Sequence, residues 1–329
     1  MSVVSTTPRT EFRARTGRAA PYLSIARFDH WVKNVFVLPG VILALTVSRP
    51  HWQEIVSNLA LGMLAVGLVA SSNYVINEIM DAPFDRFHPT KCTRPVASGR
   101  VYLPLAYAEW ILLGVAGCWL ARFVSEPLVW TLLALWIMGL LYNVQPIRSK
   151  DIPYVDVLSE SINNPLRMLA GWYMIRSVAS PPLSLLVSYW MIGCFFMATK
   201  RYAEYREIAD PVRCTAYRRS FHYYNEQRLL GSIMFYASFG MLMLGAFIIR
   251  YRLELVLAFP LIGLVMAIYL FLSFKPDSAV QRPEGLYQER TLMTAVFACA
   301  TVLTVLLFVD VPSLTELFSP LRFGLPVGR

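Results

Sequence analysis

From Leu229 to Ile249 the chain carries no charged side chain, and after a short break the same is true from Leu255 to Phe274. Apolar runs of that length cross about 30 Å of hydrocarbon as helices, whereas the buried helices of water-soluble proteins are shorter or amphipathic. A third run of this kind occupies 292–309, and shorter or more polar ones lie at 34–48, 54–78, 102–121, 128–144, 154–175 and 182–200. The composition agrees, with 56% hydrophobic and 16% charged residues and a mean hydropathy of +0.49. Lipid offers no hydrogen-bond partner to open backbone, and the runs are too long for barrel strands. The expected fold is therefore all-α: a polytopic membrane helical bundle of about nine transmembrane helices. It divides into a flexible basic arm (1–20), a single transmembrane domain (21–312) and a C-terminal tail (313–329).

The Lys and Arg residues give the orientation. Assigned to alternate loops, 22 of the 30 fall on the side of the N-terminal arm and 7 on the other, with Arg167 inside a span. The crowded side is expected in the cytoplasm, with the C-terminus outside. The net charge of +9 is then a topological signal; basic loops beside membrane lipids account for it, and no nucleic acid is required. Five cysteines, an odd number without C-x-x-C spacing, argue against a disulfide framework or a zinc site. The first 30 residues are Arg-rich and lack an apolar centre, so no cleavable signal peptide is expected.

The stretch SSNYVINEIMDAPFDRFHPTKCTRPVASG, 71–99, turns abruptly polar at the end of an apolar run. Asn73, Asn77, Asp81 and Asp85 recur at steps of four, each turned only about 40° from the last on a helix. Pro83 is expected to bend or end that helix between the two aspartates. Hard oxygen ligands with room for water and phosphate suit Mg²⁺, which is commonly held by one or two carboxylates plus substrate phosphates. His88, Lys91 and Arg94 follow as phosphate-binding cations. The plainer reading, helix capping and loop solvation, does not explain why the ladder reaches back into a span, where polar groups are costly and usually functional.

A second polar constellation, YNVQPIRSKDIPYVDVLSESINNPLRMLAGW, spans 142–172. Asp156 and Glu160 are four apart, Asn164 continues the step, and Arg167 is placed to share their face or to pair with one of them. Arg148, Lys150 and Asp151 supply the preceding loop. RFDHWVKN, 27–34, places Trp31 at the membrane interface and Lys33 at the foot of the first span, as a phosphate ligand or a snorkelling side chain. KRYAEYREI, 200–208, puts Lys200, Arg201, Glu204 and Arg206 at the end of the sixth span, as site residues or as a solvated face. Glu109 is an isolated carboxylate inside the third span.

Together, the Asn-x-x-x-Asp-x-x-x-Asp ladder, the second acidic loop and the nine spans resemble the UbiA superfamily of intramembrane prenyltransferases, over roughly residues 20–310. The resemblance implies Mg²⁺ and a diphosphate held between two acidic motifs, with Asn77, Asp81 and Asp85 matching the first and Asp156 with Glu160 the second. Within that superfamily RFDHWVKN is similar to the start of the decaprenyl-phosphate phosphoribosyltransferase branch, keeping Arg27, Trp31, Lys33 and Asn34 but differing at Phe28 and His30. DRFHPTKCTRPVASG, LRMLAG and ATKRYAE are similar to segments of the same branch. Glu78 stands where Asp is usual, and 148–165 is longer and richer in acids.

The branch implies a phosphoribosyl diphosphate donor and a polyprenyl phosphate acceptor, reacting at the cytoplasmic face of a bacterial-type inner (plasma) membrane. Asp81, Asp85, Asn77 and Asp156 are then the catalytic set. Lys33, Asn73, Lys91, Arg94, Arg148, Lys150, Glu160, Asn164, Arg167 and Lys200 bind substrate, and homo-oligomer formation is compatible with such a bundle. The alternative within the superfamily is transfer of a prenyl group from prenyl diphosphate to an aromatic or quinone precursor. A transporter, the reading from another class, calls for acids scattered through the midplane, but here they collect at one face.

Overall fold

The computed structural model describes residues 19–48, 51–86, 91–176, 179–281 and 283–318. His88, nearly all of the 1–20 arm and the tail beyond residue 318 lie outside the described residues. In chain order the helices are α1 (Ala20–Ala26), α2 (Leu38–Val47), α3 (Trp52–Asp85), α4 (Leu103–Ala121), α5 (Glu126–Asn143), α6 (Val155–Ser161), α7 (Asn163–Met174), α8 (Leu183–Ile208), α9 (Pro211–Tyr217), α10 (Glu226–Tyr251), α11 (Phe259–Ser273), α12 (Arg290–Phe308) and α13 (Pro312–Leu317). A 3-10 stretch, Phe28–Val37, joins α1 to α2. No strand occurs among the described residues.

Among the described residues, eight helical stretches are long and apolar enough to cross a membrane. The ninth run, 154–175, is interrupted: α6 ends at Ser161 and α7 restarts at Asn163. Pro165 explains the break, because it has no N–H to give and its ring collides with the carbonyl four residues back, that of Ser161. Asp156 and Asn164 therefore belong to different helices, and the expected four-step continuation is cut after Glu160.

The chain forms two compact units, residues 1–36 with 52–149 and residues 37–51 with 150–329. In the first, α3 is 34 residues long, about 51 Å at about 1.5 Å per residue. That exceeds the hydrocarbon thickness of about 30 Å, so α3 is longer than a straight crossing requires, and the polar ladder occupies its C-terminal part. Pro83 lies inside this helix, which runs through it and stops two residues later, with Asp85 still helical. α4 packs closely on α3 at Gly117, where a Cβ would lie 2.6 Å from the Val69 side chain and 2.8 Å from the Ala65 carbonyl oxygen. Ser125 caps α5, its Oγ accepting from the Leu128 N–H.

In the second unit α8 and α10 pack over Met191, Phe195, Ala198, Tyr202, Leu229, Ile233 and Tyr236. Asn225 caps α10, accepting from the Arg228 N–H at 2.8 Å. α2 and α7 meet through two glycines: a Cβ on Gly40 would collide with the Met168 carbonyl, and one on Gly171 with the Val37 carbonyl.

Candidate active site

The C-terminal half of α3 carries two working faces. Gly67, Ser71, Tyr74 and Glu78 recur at helical spacing and hold the 27–34 segment. Trp31 Nε1 donates to Ser71 Oγ at 2.9 Å, and its ring lies where a Cβ on Gly67 would stand 2.7 Å away. His30 meets the Tyr74 ring edge-on, and Arg27 Nη2 reaches Glu78 Oε2 at 3.4 Å. Glu78, almost fully buried, also accepts from the Val96 N–H at 3.3 Å. Trp31 is thus a packing anchor on α3, and Glu78 ties three segments together. Lys33 Nζ lies 3.4 Å from His30 Nδ1.

The other face meets α5. Asn73 Nδ2 donates to the Leu135 carbonyl at 2.9 Å and Asn77 Nδ2 to Asn143 Oδ1 at 2.6 Å. One turn on, Arg148 Nη2 donates to Asp81 Oδ1 at 3.1 Å. The Arg148 guanidinium is buried and pinned independently by the Asn143 carbonyl at 3.0 Å and the Met80 carbonyl at 3.4 Å. It also stacks 5.0 Å from the Phe84 ring centroid. Asp85 Oδ2 accepts from Arg94 Nη1 at 2.6 Å. Lys91 opens the short 3-10 turn Lys91–Thr93 beside it in sequence. Two carboxylates one turn apart, each charge-matched by an arginine, form the polar end of this unit. The Asp81 side chain is 24% exposed and that of Asp85 7%, so Asp81 is the more open.

No group of three or more His, Cys, Asp or Glu side chains able to hold a metal occurs among the described residues. Asp81 and Asp85 instead fit a cation of the Mg²⁺ type, which takes one or two carboxylates and completes its octahedron with water and phosphate oxygens. The neighbouring arginines suit phosphate as well as carboxylate.

In the second unit Asp156 has no exposed side-chain surface. Tyr224 Oη donates to its Oδ1 at 2.7 Å, and Ser220 Oγ and Arg201 Nε donate to its Oδ2 at 3.2 and 3.3 Å. Arg218 Nη1 stands 3.8 Å from the same oxygen. The buried Arg201 guanidinium serves three carboxylates, giving Nη2 to Glu160 at 2.7 Å and Nη1 to Glu204 at 3.0 Å. Lys200 and Arg218 add positive potential around Glu204, so three acids are balanced by three bases. Glu160 is the exposed member of the acidic set, at 32% against 0% for Asp156 and 9% for Glu204. Burial, followed by the Asp156 charge, pushes the Tyr224 phenol well above its ordinary range; it stays protonated and acts as a donor.

Asn164 abuts α8 at Gly193, Arg167 is half-buried on α7 near Tyr189, and Lys150 is buried in the turn Ser149–Asp151. Arg201 and Glu204 carried an equivocal sequence signal. Ser220 and Tyr224 carried none, since they lie 64 and 68 residues from their carboxylate.

The profile of the UbiA prenyltransferase family matches residues 35–283. A decaprenyl-phosphate phosphoribosyltransferase of Mycobacterium tuberculosis is 32% identical over 178 residues, 53% of this chain and 56% of that protein. One from Corynebacterium glutamicum is 30% identical over 182 residues, 54% of this chain and 52% of that protein. The chain therefore spans about half the length of these curated relatives. Among solved structures, a UbiA homologue from Archaeoglobus fulgidus bound to DMAPP and Mg²⁺ superposes with a TM-score of 0.65 at 19% identity, covering 87% of this chain and 99% of that one. The chain belongs to the UbiA prenyltransferase family.

Proposed function

We propose that this transferase moves a 5-phosphoribosyl group from phosphoribosyl diphosphate to a polyprenyl phosphate and releases diphosphate, at the cytoplasmic face of a bacterial-type plasma membrane. The observation that carries the reading is the pair of arginine-matched carboxylates, Asp81 with Arg148 and Asp85 with Arg94, at the polar end of α3. The choice of donor and acceptor is supported by the relatives named for that reaction. An oxygen of the lipid phosphate, already ionised, attacks the anomeric carbon; the bond from that carbon to the diphosphate oxygen breaks, and diphosphate leaves with the electron pair. No strong protein base is needed.

Asp81 and Asp85 would hold Mg²⁺, with Asn77 Oδ1 orienting the metal or the ribose. When bound, Mg²⁺ supplies positive charge to the departing diphosphate oxygens. Arg148, still held through Nη1 by its two carbonyls, would offer Nη2 to phosphate, and Arg94 would offer Nη1, with Lys33, Lys91, Lys150 and Lys200 as further cations and Asn73 positioning α3 on α5. Asp156 keeps Arg201 oriented, while Glu160, Asn164 and Arg167 serve the substrate side of the second unit.

The test is the purified protein in detergent with Mg²⁺, offered labelled phosphoribosyl diphosphate with polyprenyl phosphate in one reaction and prenyl diphosphate with a hydroxybenzoate in another. Product is expected in the first. Product only in the second assigns the chain to aromatic prenyl transfer.

A further inference from the structure

Beside the second acidic cluster, a groove of about 520 Å³ opens along the first turns of α10, lined by Tyr154, Arg228, Gly231, Ser232, Phe235 and Tyr236. Residues 228, 231, 232 and 235 share one helix face. Gly231 leaves it open, since a Cβ there would meet nothing within 4 Å. At the polar end sits Arg228. Its guanidinium lies 4.0 Å from the Tyr223 ring centroid, and Nη1 donates to the Tyr223 carbonyl at 2.7 Å. Those contacts hold it in place, and among the described residues Nε and Nη2 have no partner and no carboxylate pairs with the guanidinium. Toward the apolar end, Phe235 is 61% exposed. A fixed, unneutralised cation at the head of an apolar channel is complementary to an anionic head on a long hydrocarbon chain.

The groove's inner wall is part of the acidic cluster itself. The Tyr154 N–H donates to Tyr224 Oη at 2.6 Å, and that hydroxyl donates to Asp156. Tyr154 holds a backbone with a positive φ of 65°, a conformation that a non-glycine residue keeps only where its surroundings impose it. We propose that this groove docks the acceptor lipid, with the terminal phosphate on Arg228 and the first isoprene units over Gly231 and Phe235. A channel one helix face wide suits a single chain with a terminal phosphate better than a two-chain glycerolipid. The assignment of the lipid rests on the reading of the acceptor given above.

Two variants of the full-length protein test it: Gly231→Leu fills the groove at a position with room for the side chain, and Arg228→Gln removes the charge. The probe is a fluorescent polyprenyl phosphate, its binding measured in detergent with and without phosphatidylglycerol as competitor. Each variant is expected to weaken binding at least about tenfold, with phosphatidylglycerol displacing the probe only in large excess. Unchanged binding in both variants overturns the proposal, as does displacement by equimolar phosphatidylglycerol, which marks a site for bulk lipid. In the transfer reaction, Gly231→Leu is expected to raise KM for the lipid phosphate about tenfold while KM for phosphoribosyl diphosphate stays put. Binding that responds to the variants without any phosphoribosyl transfer refutes the reaction and leaves the groove standing; robust transfer with an unchanged lipid KM refutes the groove alone.

Discussion

Asp81 differs from an ordinary helix-end acid in having an arginine partner that is itself held by other groups. Arg148 is fixed by two backbone carbonyls as well as by Asp81, so Asp81→Asn keeps shape and neighbours and removes one negative charge. If these carboxylates hold the cation that stabilises a departing diphosphate, Asp81→Asn and Asp85→Asn each lower turnover about a hundredfold or more, the scale seen when a transition-state charge stabiliser is lost. The melting temperature in detergent should barely move, and full activity in both variants would remove them from the site. Chelation of divalent cations should abolish turnover, and added Mg²⁺ should restore it in the unaltered protein. Tyr224 predicts the opposite pattern. Tyr224→Phe strips a donor from the buried Asp156 and an acceptor from the Tyr154 N–H, and each buried polar group left unpaired costs roughly 1–3 kcal/mol. Thermal unfolding should therefore report this variant clearly; a melting temperature identical to that of the unaltered protein would mean that water replaces the phenol.

At the scale of helices, small residues set how closely elements approach. Gly171 closes the LRMLAG segment, and its hydrogen faces the Val37 carbonyl, while Gly40 faces that of Met168. Backbone cannot yield as a flexible side chain does, so Gly171→Val has to push α7 off α2. This variant should express poorly or melt many degrees lower, whereas Gly231→Ala, on open helix surface, should be neutral or slightly stabilising by its helix propensity. Comparable melting of the two would show that α2 and α7 are not so tightly apposed. Hydropathy alone announced the long helices because their apolar runs need no partner to be recognised. The break at Ile162 was harder to see, since the run 154–175 reads as one span until Pro165 is given its full steric weight. In the ladder, Asn73 and Asn77 were legible as polar but not as ties to α5, because four-step periodicity identifies a face without saying what covers it. The anchoring of Trp31 was not legible for a related reason: the gap at Gly67 that receives it lies 36 residues downstream in sequence.

For the whole chain, the surplus of basic residues on alternate loops makes a prediction about sidedness that does not depend on the chemistry. Arg100 precedes α4 and Glu126 opens α5, so these exposed positions bracket a single crossing. Lys and Arg near span ends are retained on the cytoplasmic side during insertion, and the loop holding Arg86, Lys91, Arg94 and Arg100 belongs to the crowded set. In a variant with all five native cysteines replaced by serine or alanine, a cysteine at 126 should react with a membrane-impermeant maleimide in intact cells. A cysteine at 100 should react only after the membrane is opened. The reverse pattern would put the Asp81 and Asp85 end of α3 outside, away from a cytoplasmic supply of phosphoribosyl diphosphate, and the proposed donor would have to be abandoned even if the fold and the metal chemistry were right. Labelling of both positions in intact cells would instead mean that α4 does not cross the bilayer, against its 19-residue apolar length.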